Sequence, residues 1–176
     1  ESKPVPVAVE STEPFFYQNA ILAFAEAQEA LRYVKDPAEA EITLASRKAP
    51  TAKCALIFQP EGESPWWQQI GSVVAATPKA QSKHRDHALM RWLDAEGINF
   101  AGARELRAPP GAHILVESDE GLPLIYLVRE PEKSAVVVNL DPAESSFYLS
   151  AWFPILVRNA AAVLGELLKA PGITVQ

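Results

Sequence analysis

The sequence predicts an α/β domain in which helices flank a mostly parallel sheet, with a β-richer, partly antiparallel second half. Three observations lead there: a strand–helix–strand opening, a continuous apolar run at residues 54–58 that suits a strand buried on both faces, and an amphipathic helix that closes the chain. The 176 residues suit one core, so 1–176 is read as a single domain with a tail over 171–176. Apolar residues make up 48% and charged residues 22%, a globular composition that speaks against disorder.

The first element is Val5-Pro6-Val7-Ala8-Val9, short and β-branched, with Pro6 making its start edge-like. Ser11 or Thr12 then caps a helix whose first turn holds Glu13 and Pro14, and Phe16, Ala20, Ala23, Phe24 and Ala27 recur at helical spacing. Strands follow at residues 30–34 and 41–45, then Cys54-Ala55-Leu56-Ile57-Phe58, closed by Gln59-Pro60-Glu61-Gly62. Parallel neighbours need crossovers, so this half predicts helices packed on a parallel sheet. Beyond Ser72 the runs at 73–76, 112–116, 123–128 and 135–139 are strand-like, and the breaks at Glu120-Gly121 and 130–133 predict antiparallel neighbours. The last helix is capped by Ser150, tolerates Pro154 in its first turn, and carries the stripe Phe153, Leu156, Val157, Ala160, Leu164, Leu167 and Leu168; Pro171-Gly172 stops it.

A net charge of −6 opposes binding to nucleic acid, where affinity comes from cations on phosphates. The lone Cys54 forms no intramolecular disulfide. No stretch reaches the roughly 18 apolar residues of a membrane helix, since residues 151–168 are broken by Pro154, Arg158, Asn159 and Glu166; this piece is not expected to span a membrane. The start Glu1-Ser2-Lys3-Pro4 reads as that of a fragment of a larger protein.

Further motifs run from His84-Arg85-Asp86-His87-Ala88-Leu89-Met90-Arg91-Trp92-Leu93 through Ala103-Arg104-Glu105-Leu106, Pro109-Pro110-Gly111-Ala112 and Gly121-Leu122-Pro123-Leu124-Ile125. They continue with Val136-Val137-Val138-Asn139-Leu140-Asp141-Pro142-Ala143-Glu144-Ser145 and Phe153-Pro154-Ile155-Leu156-Val157-Arg158-Asn159-Ala160. This order resembles the region that follows the von Willebrand factor A domain in BatA-type, membrane-anchored bacterial proteins, a region similar in fold to the flavodoxin-like sheets of class I glutamine amidotransferases. The resemblance spans residues 84–168; residues 5–60 agree only in strand order. It implies an accessory domain of a multi-domain protein of the bacterial cell envelope, soluble and extracytoplasmic. The 176 residues contain neither a von Willebrand Asp-x-Ser-x-Ser motif nor a membrane segment, so activities located there are not carried over.

A class I amidotransferase places a nucleophilic Cys, flanked by Gly, on a sharp turn at the carboxyl end of a strand, beside an activating His and Glu. Cys54 follows Lys53 at the start of its strand, away from the ligand crevice of such sheets, and reads as a buried structural thiol. His84, Asp86 and His87 invite a metal, but three or four ligands are needed and His113 falls inside a strand without ligand-like neighbours; His87 reads as a hydrogen-bonded structural residue. The segment Glu10-Ser11-Thr12-Glu13-Pro14 lies where doubly wound folds hold phosphates, yet it is acidic and glycine-free, which favours helix capping over nucleotides. Asp141, Glu144 and Ser145 read as caps of the turn before the last helix. Trp66 and Trp67, after the loop at residues 60–65, are the candidate contact site, weighed against both indoles folding inward to cover the sheet edge. The expectation is a non-catalytic module without cofactor or metal that contacts protein partners or other domains of its own chain. The alternatives are a divergent hydrolase or amidotransferase and a small-ligand or sugar-binding module.

Overall fold

The computed structural model describes residues 3–28 and 30–169. In chain order these form β1 (Val5–Glu10), α1 (Pro14–Gln28), β2 (Leu31–Tyr33), β3 (Ile42–Ser46), β4 (Cys54–Phe58), β5 (Glu63–Ser64), β6 (Trp67–Val73), β7 (Ala80–Ser82), β8 (Arg104–Arg107), β9 (His113–Ser118), β10 (Pro123–Glu130), β11 (Lys133–Val138) and α2 (Trp152–Lys169). One sheet has the order β2-β1-β3-β4-β11-β10-β9-β7, and a smaller one the order β5-β6-β8. The large sheet is parallel from β2 to β11 and antiparallel from β11 to β7, so the mixed α/β character expected from the second half is present.

β4 is buried along its whole length between β3 and β11, as its uninterrupted apolar run demands. The large sheet separates two cores. On one face Tyr17, Ala20 and Ile21 of α1 and Phe153, Leu156, Val157, Ala160 and Leu164 of α2 pack over Val7, Leu44, Leu56, Phe58 and Val136. On the other face no α-helix takes part among the described residues. Ala45, Ala55, Ile57, Tyr126, Val128, Ala135 and Val137 are covered instead by Trp66, Trp67 and Leu106 of the small sheet. Helices therefore cover one face only, a departure from the expected flanking pattern. Its local cause is visible between β3 and β4, parallel neighbours joined by residues 47–53 without a helix.

The expected stripe of α1 is shifted. Phe16 is 45% exposed and meets Tyr148 (ring centroids 5.8 Å), while Tyr17, Ala20 and Ile21 point inward. Apolar residues on all sides of Pro14-Phe15-Phe16-Tyr17 leave the phase undetermined by spacing alone. The side chains of Ala23, Phe24, Ala27 and Leu168, and the Pro171-Gly172 stop with its tail, lie outside the described residues. Ser150 Oγ accepts a hydrogen bond from Trp152 N (2.9 Å), the cap expected for α2. Residues 74–76, read as a strand, leave β6 as a loop, whereas β5, β7 and β8 are strands that the sequence pattern does not announce.

Tyr126 ties the two sheets together. It is fully buried in β10, and its hydroxyl donates to Trp66 O at 2.7 Å. Tyr126→Phe leaves that carbonyl unpaired at unchanged shape and is expected to cost about 1–2 kcal/mol in a denaturant titration. A neutral result would show that water or a neighbouring donor reaches the carbonyl.

Candidate functional site

In doubly wound sheets, ligands and chemistry gather outside the carboxyl ends of the parallel strands, where the strand order reverses. Here β1 sits between β2 and β3, so the reversal lies at the ends of β1 and β3, next to the end of β4. Six polar side chains meet there. Ser11 follows β1, Ser46 ends β3 and Arg47 comes after it, Gln59 follows β4, Asp141 follows β11, and Tyr17 reaches over from α1.

The residue after β4, Gln59, has φ 55°, a left-handed backbone that only a few non-glycine residues adopt. A strained turn at the carboxyl end of a central strand is a place where α/β enzymes can carry a nucleophile. Gln59 offers a carboxamide. Its Nε2 donates to Asp141 Oδ2 at 3.3 Å and its Oε1 receives a long, weak bond from Arg47 Nε at 3.5 Å. Backbone bonds fix both arms, from Gln59 N to Val138 O (3.3 Å) and from Arg47 N to Phe58 O (3.1 Å). Arg47 is itself left-handed, at φ 72°.

Asp141 is occupied by structure. Its Oδ1 accepts from Ala143 N (2.9 Å) and Glu144 N (3.3 Å), its carbonyl accepts from Ser145 Oγ (2.7 Å), and its own N donates to Ala101 O (2.9 Å). The capping role is thus observed for Asp141, whose carboxylate accepts, and Ser145 adds its hydroxyl to the same turn, whereas Glu144 takes part through its backbone N. Gly102, at φ 83°, lets the preceding loop close on this turn, since a Cβ there would meet Asp141 Cβ and lie 3.1 Å from Asp141 N. Ser11 and Ser46 share a hydrogen bond at 2.7 Å, and Ser11 Oγ also accepts from Glu13 N (3.1 Å), the helix-capping contact foreseen there. Burial raises the phenol pKa of Tyr17 well above its ordinary value, and the hydrogen bond with Ser46 offsets only part of that. Tyr17 therefore stays neutral. The arrangement holds three hydroxyls, an amide, a guanidinium and a carboxylate that already accepts three hydrogen bonds, with no imidazole among its six members.

Cys54 lies at the opposite end of β4, five residues and about 16 Å from Gln59 along the strand. It is 8% exposed, and burial raises its pKa, so the thiol is held protonated and is a poor nucleophile. It lines a depression of about 840 Å³ at the amino end of the sheet.

The histidines gather elsewhere, which corrects the reading of His113 as isolated. Its ring lies 4.6 Å from that of His84 and 5.1 Å from that of His87, around a depression of about 620 Å³. His87 Nδ1 accepts from Leu89 N at 3.0 Å, capping the short 3-10 turn Ala88–Met90. Neutral His87 then carries its proton on Nε2 and presents a donor, not a ligand lone pair. Burial and, secondarily, His113 and His84 lower its pKa, which favours that neutral form. Among the described residues no three His, Cys, Asp or Glu side chains are arranged to hold a metal ion.

Trp66 and Trp67 are each only 2% exposed, and Trp67 Nε1 donates to Glu61 O at 3.0 Å. The pair therefore folds inward, the alternative the sequence left open, and its candidacy as an exposed contact site is corrected. The helix-free face of the large sheet needs large apolar area, and the two indoles supply it. The exposed indole is Trp92, at 74%, although its apolar neighbours Met90 and Leu93 give it the look of a core residue in sequence. Two further depressions, of about 760 and 190 Å³, lie beside β6 and β8.

The parallel-centred mixed sheet fits a glutamine amidotransferase-like α/β fold, here with two α-helices among the described residues. The chain is similar in structure to a protein described as a GMP synthase subunit from Thermoplasma acidophilum, at TM-score 0.61 and 11% identity over 96% of this chain and 98% of that one. A cytoplasmic protein of Salmonella typhimurium LT2 aligns at TM-score 0.58 and 9% identity, covering 83% of this chain and 86% of that one. An exo-β-1,4-mannosidase from Opitutaceae bacterium strain TAV5 aligns at TM-score 0.53 and 16% identity over 96% of this chain and 36% of that one. At such identities the likeness is one of fold alone. No protein-family model and no curated protein sequence matches the chain.

Proposed function

We propose that this is a non-catalytic contact module on an amidotransferase-like scaffold, acting within a larger bacterial envelope protein of the BatA type and docking against protein partners or other domains of its chain. The observation that carries the reading is Gln59. The strained turn after β4 is kept, but it presents an amide tied toward Asp141 and Arg47, while the thiol sits at the far end of the same strand. A carboxamide is no nucleophile at neutral pH, and the thiol is buried and protonated. Support for the BatA context is the order of motifs over residues 84–168, whose members hold the second half together: His87 caps a turn, Asn139 and Asp141 anchor loops, and Phe153 to Ala160 seat α2.

Purified protein is expected to release no ammonia from glutamine and to hydrolyse no simple amide or ester above background. Its thiol is expected to react with a disulfide reagent on the timescale of unfolding, far more slowly than in urea. Turnover that Cys54→Ala abolishes, together with rapid labelling of the folded protein, would establish a divergent hydrolase instead.

A further inference from the structure

Trp92 combines features that packing does not ask for. Its residue surface is 74% exposed, and its backbone is left-handed at φ 63°, a conformation costly for a bulky side chain. The conformation is clamped from α2. Asn159, buried, donates through Nδ2 to Leu89 O (2.9 Å) and to Arg91 O (2.8 Å), and Leu93 N donates to Met90 O (3.0 Å) on the far side. Arg91 lies over the indole, 5.5 Å from the ring centroid, and forms no ion pair among the described residues. A strained turn is thus maintained by a buried side chain in order to hold an indole and a guanidinium in water.

We propose that Arg91 and Trp92 are the docking point for a segment of another protein, one that offers an apolar seat for the indole and a carboxylate for the guanidinium. This rests on the reading of the domain as a contact module and names its contact surface. Neither residue lines any of the four depressions described above, whereas small molecules take concave sites. Trp and Arg are the side chains on which protein interfaces concentrate their binding energy. Lys83 and Arg85 already pair with Glu117 (3.3 Å) and Glu96 (2.7 Å), which leaves Arg91 as the cation of this segment without a carboxylate among the described residues. Phe15, Phe16 and Leu149 are also exposed, but their backbone is unstrained and no buried side chain clamps it.

Two measurements test this in the full-length protein. Trp92→Asn is expected to melt at or above the wild-type temperature, because asparagine accepts a left-handed backbone. Photoreactive benzoylphenylalanine at position 92, irradiated in the native cells, is expected to give one discrete adduct with another protein, lost with Arg91→Glu and kept with the charge control Arg85→Glu. A lowered melting temperature would make the indole a structural residue and overturn the proposal. So would no adduct, an adduct only between two copies of this chain, or one indifferent to Arg91→Glu. An adduct from position 15 and none from position 92 would reject this surface while leaving the contact role intact.

Discussion

Phe58→Ala is expected to lower stability by about 4 kcal/mol, at the upper end of what a single substitution does here. Phe58 is fully buried at the carboxyl end of β4, where three rings converge on it: Tyr17 of α1 at 5.9 Å, Phe147 of the turn before α2 at 5.8 Å, and Phe153 of α2 at 6.4 Å. Removing the ring forfeits its transfer energy and opens a cavity whose walls belong to three separate elements, so none can close it alone. For a chain of this length that corresponds to a melting temperature lower by roughly 8–16 °C. Phe58→Leu keeps much of the volume and is expected to cost less than half as much. A loss below about 1.5 kcal/mol for the alanine variant would mean that the neighbouring rings collapse into the space, contrary to the packing described.

Asn139→Ala is expected to cost about 3 kcal/mol by a different route. The side chain is completely buried at the end of β11 and bridges the two sheets: Oδ1 accepts from Arg104 N (2.9 Å), and Nδ2 donates to Arg104 O (2.9 Å) and Pro123 O (3.0 Å). Alanine removes three side-chain hydrogen bonds to backbone groups, each worth about 1 kcal/mol. Asn139→Asp should be at least as damaging at neutral pH, because it sets a carboxylate against two carbonyl oxygens. Hydrogen exchange gives a local readout: the Arg104 amide should lose protection in the alanine variant, while amides of β1 and β3 exchange as before at temperatures below melting. Uniformly faster exchange would instead mean that Asn139 acts on the fold as a whole.

Several elements were legible because local pattern and burial coincide. Cys54 to Phe58 reads as a central strand since no residue in it tolerates water, and the stripe of α2 reads as one face because polar residues occupy the other. The capping residues Ser11, Ser150 and Asp141 were legible for the same reason, as each acts on backbone two or three positions away. The phase of α1 was not, because Phe15, Phe16 and Tyr17 are all apolar and tertiary packing alone selected Tyr17. For Trp66 and Trp67 the sequence left an exposed pair and an inward pair open, and the helix-free face, which residue spacing does not reveal, selected the inward one. Of the candidate site, Cys54 could be placed from its strand, whereas Gln59 has no signal in residue type: glutamine before proline reads as an ordinary strand end, and only its dihedral marks the turn.

What the sequence by itself determined is the set of segments that must leave water and the caps that end them, because hydrophobic periodicity and side-chain-to-backbone hydrogen bonds act over a few residues. What only the tertiary structure decided is which segments meet: the small sheet against the helix-free face, three histidines around one depression, and an amide at the turn after the central strand. Those outcomes depend on competition among distant surfaces for the same neighbour, and no local property of the chain records who wins.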